Sequence, residues 1–252
     1  MTPEHTTEAP ASGSCSRSER RQAWAVHVFT TSGIVVAMFA LQAVLQQAAQ
    51  AAIAWLLVTQ VIDGIDGPMA RAYDVRTRVP MIDGYVLDLV IDFVTCAFIP
   101  AAFLHQFNML PHDISLLLTG LVVFSSAIWF SRTDMMTDDH WFRGFPAVWN
   151  LIIPTLFLLE TPKSVNVLVV VFLCVGSFTS FPSPHPVRVR QWRPLTLTVT
   201  VLWLGALTGL VVVYPREVFP LQAILIVPLL YFVVIGVLRS RETKSAPTVL
   251  VA

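Results

Sequence analysis

From residue 24 onward the chain alternates long apolar stretches with short polar connections. About 20 apolar residues, at 1.5 Å rise each, cross the hydrocarbon of a bilayer as a helix. Runs of that length fall near 24–45, 50–72, 84–106, 113–131, 145–160, 165–181, 195–214 and 218–238. The fifth and sixth are short, and only Thr161 to Ser164 separate them. The pattern predicts an all-α, polytopic membrane protein of about eight transmembrane helices. Pro100, Pro154 and Pro228 lie inside runs and are expected to kink their helices. Residues 1–22 are polar and Ser/Thr-rich, which reads as a disordered tail. A membrane-embedded domain would then fill 23–239, with a second short tail over 240–252.

Composition agrees with a membrane setting. The chain is 55% hydrophobic and 13% charged, against about 25% charged in a soluble domain. A net charge of +0 gives no reason to expect nucleic-acid binding. The N-terminal tail lacks the apolar core of a cleavable signal, so the first run reads as an uncleaved signal-anchor. Cys15 lies in the tail, and Cys96 and Cys174 lie inside apolar runs. They form no metal-binding or disulfide framework and read as small buried residues. His27, His105 and His112 lie near run ends without ligand spacing.

Basic residues give an orientation. With eight spans, fourteen of the sixteen Lys and Arg fall on the side that holds both termini, leaving Lys163 and Arg216 opposite. By the positive-inside rule both termini are cytoplasmic. The loop carrying Arg71, Arg76 and Arg78 is then cytoplasmic too, and Asp63 lies about 12 Å deeper than Arg71 along its helix.

The costly residues are four carboxylates flanking that loop: Asp63, Asp66, Asp88 and Asp92. An Asp at mid-membrane costs roughly 2.5–3.5 kcal/mol, so four unpaired would cost on the order of 10 kcal/mol. On a helix, positions i, i+3 and i+4 share a stripe. One stripe carries Asp63, Asp66, Gly67 and Ala70, with Arg71 one turn past Gly67; the facing stripe carries Gly84, Asp88 and Asp92. Two such stripes can bring four carboxylates to one point, where all could stay ionised only with cations present. Hard oxygen donors select Mg²⁺ or Mn²⁺, and four shared carboxylates suit a pair of divalent ions. Gly67, Ala70 and Gly84 leave room for a bulky ligand, and Arg71 offers a fork for a phosphate. The site reads as a cytoplasm-facing cavity for a nucleotide diphosphate. A proton relay or carboxylate-based cation transporter is the competing reading of membrane aspartates.

The pattern D-x2-D-G-x2-A-R, a loop, then G-x3-D-x3-D resembles the signature of the CDP-alcohol phosphotransferase family. It is met by Asp63, Asp66, Gly67, Ala70, Arg71, Gly84, Asp88 and Asp92. The loop of 12 residues (72–83) is longer than in many members. That length, the eight runs, WFRGFPAVWN (Trp141 to Asn150) and HPVRVRQWRPLTL (His185 to Leu197) resemble the bacterial choline-accepting branch. The resemblance implies a six-helix core plus two extra helices in a bacterial inner membrane, and a homodimer. It implies attack of choline on CDP-diacylglycerol, giving phosphatidylcholine and CMP. Asp63, Asp66 and Asp88 would be metal ligands; Asp92 would share the second ion or act as the catalytic base. Gly67, Ala70, Arg71 and Gly84 would line the nucleotide and diphosphate. Another acceptor alcohol, such as serine, inositol or glycerol 3-phosphate, is the alternative within the family.

Choline has no N–H donors, so its recognition calls for aromatic faces and carboxylates. The loop after the fourth run offers Trp129, Trp141, Phe142, Phe145 and Trp149 with Asp134, Asp138 and Asp139. Trp141 and Trp149 are the candidate choline-binding residues, with an interfacial aromatic belt as the alternative. The basic segment His185 to Arg193 reads either as positive-inside charge or as a contact for phosphate or anionic head groups.

Overall fold

The computed structural model describes residues 16–245. Cys15, most of the expected N-terminal tail and residues 246–252 lie outside them. Ten α-helices follow in order: α1 (Arg17–Leu45), α2 (Ala49–Ala72), α3 (Val75–Arg78), α4 (Gly84–Asp92), α5 (Ile99–Gln106), α6 (His112–Phe130), α7 (Trp149–Leu158), α8 (Lys163–Ser177), α9 (Arg193–Val213) and α10 (Phe219–Ser245). A π-helical segment, Phe93–Phe98, joins α4 to α5 as one continuous span of 23 residues. Each of the eight apolar runs contains a helix. Among the described residues, five helical segments are long and apolar enough to cross a membrane: α1, α4 through α5, α6, α9 and α10. The fold is that of an all-α, multi-pass membrane protein.

Local signals set several boundaries. Ser16 and Glu19 form a capping box, so α1 starts at Arg17, inside the stretch read from sequence as tail. Glu19 also pairs with Arg78 at 3.3 Å, tying the start of α1 to α3. The Asp83 carboxylate accepts from the backbone N–H groups of Tyr85 and Val86 and so caps α4, placing Gly84 in its first turn. The helix widens into the π turn just before Pro100, whose ring nitrogen cannot donate to the Cys96 carbonyl. Pro154 and Pro228 lie inside α7 and α10.

Helix α7 is the hub. Every residue from Trp149 to Leu156 is buried, as expected of a helix that is apolar all round. Its few polar atoms join it to three neighbours. Asn150 Nδ2 donates to Gln60 Oε1 of α2 at 2.7 Å, and Trp149 Nε1 donates to Ser126 Oγ of α6 at 3.0 Å. Trp203 Nε1 of α9 donates to Thr155 Oγ1 at 2.9 Å. Such bonds join helices where lipid supplies no hydrophobic drive between them. Small residues do the same for α1 and α2, which bury Ala37, Ala40 and Ala43 against Ala49 and Ala52. Outward-facing Leu116, Leu117, Phe172 and Leu230 stay exposed, an apolar surface suited to hydrocarbon.

The sequence reading contained no strands. Trp141–Arg143 (β1) and Pro182–Pro184 (β2) nevertheless pair antiparallel, joining the connections after α6 and α8. Gly144 follows β1 with φ +84°, and a Cβ there would lie 2.7 Å from the Gly176 carbonyl and 3.0 Å from those of Ser177 and Thr179. At Gly236 a Cβ would run into the Phe181 ring and the Pro182 carbonyl, so α10 packs directly against the start of β2. Because rigid backbone surrounds Gly144, Gly144→Ala should destabilise the protein by about 2 kcal/mol or more. Thermal unfolding followed by tryptophan fluorescence in neutral detergent measures it, with Gly205→Ala, which meets open space, as the reference.

Candidate active site

Helices α2 and α4 carry the four aspartates, and α1 packs against both. One carboxylate oxygen from each of Asp63, Asp88 and Asp92 lies within 4.8 Å of the others. Asp88 and Asp92 are one turn apart on α4, which puts both on the face turned to α2. This cluster of hard oxygen donors fits a divalent cation. In an apolar bundle three carboxylates that close repel one another strongly unless a cation lies between them.

The fourth aspartate, Asp66, lies next to this triad but outside the 4.8 Å group. Asp66 is buried, faces the Thr30 hydroxyl of α1 and the Gly67 N–H, and lines the adjoining cleft. Its charge acts on Asp63, Asp88 and Asp92, and it shares the cleft with Gly84 and Asp88 of α4.

The cleft has a volume of about 780 Å³. Gly67, Ala70, Arg71, Gly84 and Asp88 all line it, so both stripes open onto one space. Further lining residues, among them His27, Thr30, Arg76, Tyr85 and Arg188, were not singled out from sequence as parts of the aspartate site. His27 Cε1 lies 3.3 Å from where a Gly84 Cβ would stand, and its buried Nε2 has no hydrogen-bond partner. Arg188 reaches in from the loop after β2, with Nη2 3.3 Å from a Cβ position at Gly67. Asp63 has its own support: Gln60 Nε2 donates to Asp63 Oδ2 at 2.9 Å, and Gln60 is held by Asn150. Gln60 lies one turn before Asp63, a visible signal; Asn150 lies 90 positions from Gln60, and only the fold joins them.

The aromatic loop residues are placed elsewhere. Trp149 is fully buried and stacks edge-on against Phe145. Trp141 is 2% exposed and packs with Val189 and Ile235, under the Arg239 guanidinium. Neither ring lines the cleft. Their short distance from the polar loop in sequence had suggested access, but helix packing buries both. Asp139 pairs with Arg239, and Asp134 with Arg132 at 2.9 Å and Arg143 at 3.6 Å. The Arg132 hydrogen bonds hold the Asp134 carboxyl below the usual carboxylate range.

The loop holding Arg188 is firmly built. Phe142 of β1 stacks on His185, ring centroids 5.2 Å apart. His185 Nδ1 accepts from the backbone N–H groups of Val187 and Arg188 at 3.1 and 3.2 Å. Burial, then the charges of Arg188 and His140, push the His185 pKa down to about 4. The ring is therefore neutral near pH 7 and free to accept at Nδ1.

Comparison with known proteins agrees with this geometry. Over 233 residues, 92% of this chain and 98% of the relative, the sequence is 37% identical to a phosphatidylcholine synthase of Pseudomonas aeruginosa. It is 40% identical to one from Mesorhizobium japonicum over 72% of this chain and 68% of that protein. A Bradyrhizobium diazoefficiens phosphatidylcholine synthase is 41% identical over 73% of this chain and 69% of its own. Residues 25–181, which include all four aspartates, match the CDP-alcohol phosphatidyltransferase family. With that match covering more than half its length, this chain belongs to the CDP-alcohol phosphatidyltransferases.

Proposed function

We propose that this protein transfers the phosphatidyl group of CDP-diacylglycerol to choline, releasing CMP and forming phosphatidylcholine. The observation that carries the reading is the cluster of Asp63, Asp88 and Asp92 next to a cleft that Asp88 lines together with Gly67, Ala70, Arg71 and Gly84. Choline as the acceptor is supported by the three relatives, each named a phosphatidylcholine synthase. The cleft also suits a small organic cation, since the Tyr85 ring stands beside Asp88.

In this reading Asp63, Asp66, Asp88 and Asp92 would hold two divalent ions, Mn²⁺ or Mg²⁺, which would supply charge neutralisation for the diphosphate. The chain's own residues do the rest. Gly67 and Gly84 let the nucleotide and diphosphate approach the helix backbones, and Arg71 fixes a phosphate. Gln60, held by Asn150, orients Asp63. Asp92 takes the proton of the choline hydroxyl as its oxygen bonds to the phosphorus carrying the diacylglycerol, and the bond from that phosphorus to CMP breaks. Acyl chains stay in lipid while choline and CMP exchange with water.

The proposed topology is eight spans, with α2, α7 and α8 completing the five longer or more apolar ones, and with both termini and the cleft cytoplasmic. The charge bias of the loops supports it. A homodimer in a bacterial inner membrane completes the picture.

Purified protein given labelled CDP-diacylglycerol should release CMP only when choline is added. Release with serine, inositol or glycerol 3-phosphate instead would reassign the acceptor. EDTA should stop turnover, and Mn²⁺ or Mg²⁺ should restore it; turnover in metal-free protein would count against the ion pair. Asp92→Asn should lower turnover roughly 100-fold or more, while CDP-diacylglycerol binding, read by equilibrium dialysis, changes only a few-fold. Turnover near wild type would remove Asp92 as the base.

A further inference from the structure

Two guanidinium groups meet over Gly67. A Cβ there would lie 3.3 Å from Arg188 Nη2 and 3.4 Å from Arg71 Nη1. Arg71 belongs to the α2 stripe, but Arg188 comes from a loop 117 positions later, beyond the family-matched span of 25–181. Like charges placed at one point repel, and neither side chain makes a hydrogen bond or salt bridge among the described residues. Each guanidinium carries five N–H donors in a planar fork. Donors left unspent at one position, inside a cleft, match an anion with several acceptor oxygens.

The placement of Arg188 is built rather than incidental. Its neighbours on both sides are anchored: His185 by the Phe142 stack and its two backbone bonds, Val189 by full burial against Trp141 and Ile235. The β1–β2 pairing holds the start of the loop, and the direct packing of α10 on Phe181 and Pro182 fixes it from behind. Positive-inside charge alone would require none of this. Arg190, two positions on, is exposed as Arg188 is, but does not line the cleft.

We propose that Arg188 and Arg71 form a two-guanidinium clamp on a phosphate of the CDP-linked substrate, held over Gly67 beside the aspartate triad. The clamp rests on the reading of the site as one for a cytidine diphosphate. Arg188 is close enough to attract Asp63, Asp66 and Asp88 electrostatically. Once divalent ions satisfy those carboxylates, phosphate oxygens become the partners left for its fork. The loop thus couples substrate binding to a segment outside the matched family span.

The test is calorimetric titration of the full-length protein in neutral detergent, free of anionic lipid and with Mn²⁺ present. CDP is the probe and cytidine the phosphate-free control. Arg188→Ala should weaken CDP binding roughly 10- to 100-fold and leave cytidine binding unchanged, with an unaltered thermal midpoint. Arg188→Lys, which keeps the charge but not the fork, should fall between, and Arg190→Ala should bind as wild type. CDP binding by Arg188→Ala at wild-type strength, or an equal loss for CDP and cytidine, would overturn the clamp alone. Absence of CDP binding by the wild type would overturn the underlying reading, and the clamp with it.

Discussion

The structure depends on keeping several carboxylates together in a bundle whose other contents are apolar. Like charges separated by a few ångströms, away from water, repel far more strongly than at a surface. A rigid scaffold holds them together, and a bound cation or a shared proton relieves the repulsion. Much of the bundle serves that end. Helix α7 is buried on nearly all sides and reaches Asp63 through Asn150 and Gln60. Helix α1 approaches α4 closely at Gly33, where a Cβ would lie 3.3 Å from Ile91, and sets Thr30 against Asp66. The π turn begins directly after Asp92 and changes the helix register beyond the site.

Positive charge at the cleft comes from segments of different architecture. Arg71 continues the α2 stripe, and Arg76 follows closely on α3. Arg188 arrives through a small polar platform: β1 paired with β2, Phe142 on His185, and Arg239 over Trp141 beside Asp139. The platform explains why two tryptophans near a polar loop are buried. Trp141 is a packing surface for the loop, and Trp149 fastens α7 to α6. Aromatic residues in a loop segment are therefore poor guides to a ligand cage when that segment folds back onto the bundle.

Legibility followed the range of the interaction. The eight apolar runs each became helical because membrane helices satisfy their own backbone, so the local pattern suffices. Both aspartate stripes were visible for the same reason: one turn of helix is a local rule. The start of α1 was missed because the Ser16–Glu19 capping box extends the helix into a polar stretch. The β1–β2 pairing was missed because it joins positions some 40 residues apart with two prolines in one strand. Asn150, His27 and Arg188 gave no local sign of a part in the aspartate site, since each reaches it across an interhelical or loop contact.

By itself the sequence determined the kind of chain this is: apolar helices for lipid, two carboxylate stripes facing each other across a basic loop, and through them the family and its phosphoryl chemistry. Periodicity and desolvation energy act within a few residues and can be read in order. Tertiary structure decided how closely the carboxylates meet, bringing Asp63, Asp88 and Asp92 within 4.8 Å of one another with Asp66 beside them against Thr30 of α1. It also decided which basic residue from far along the chain, Arg188, joins Arg71 and Arg76 at the cleft. That choice depends on the packing of α10, two short strands and a stacked histidine, whose contacts lie far apart along the chain.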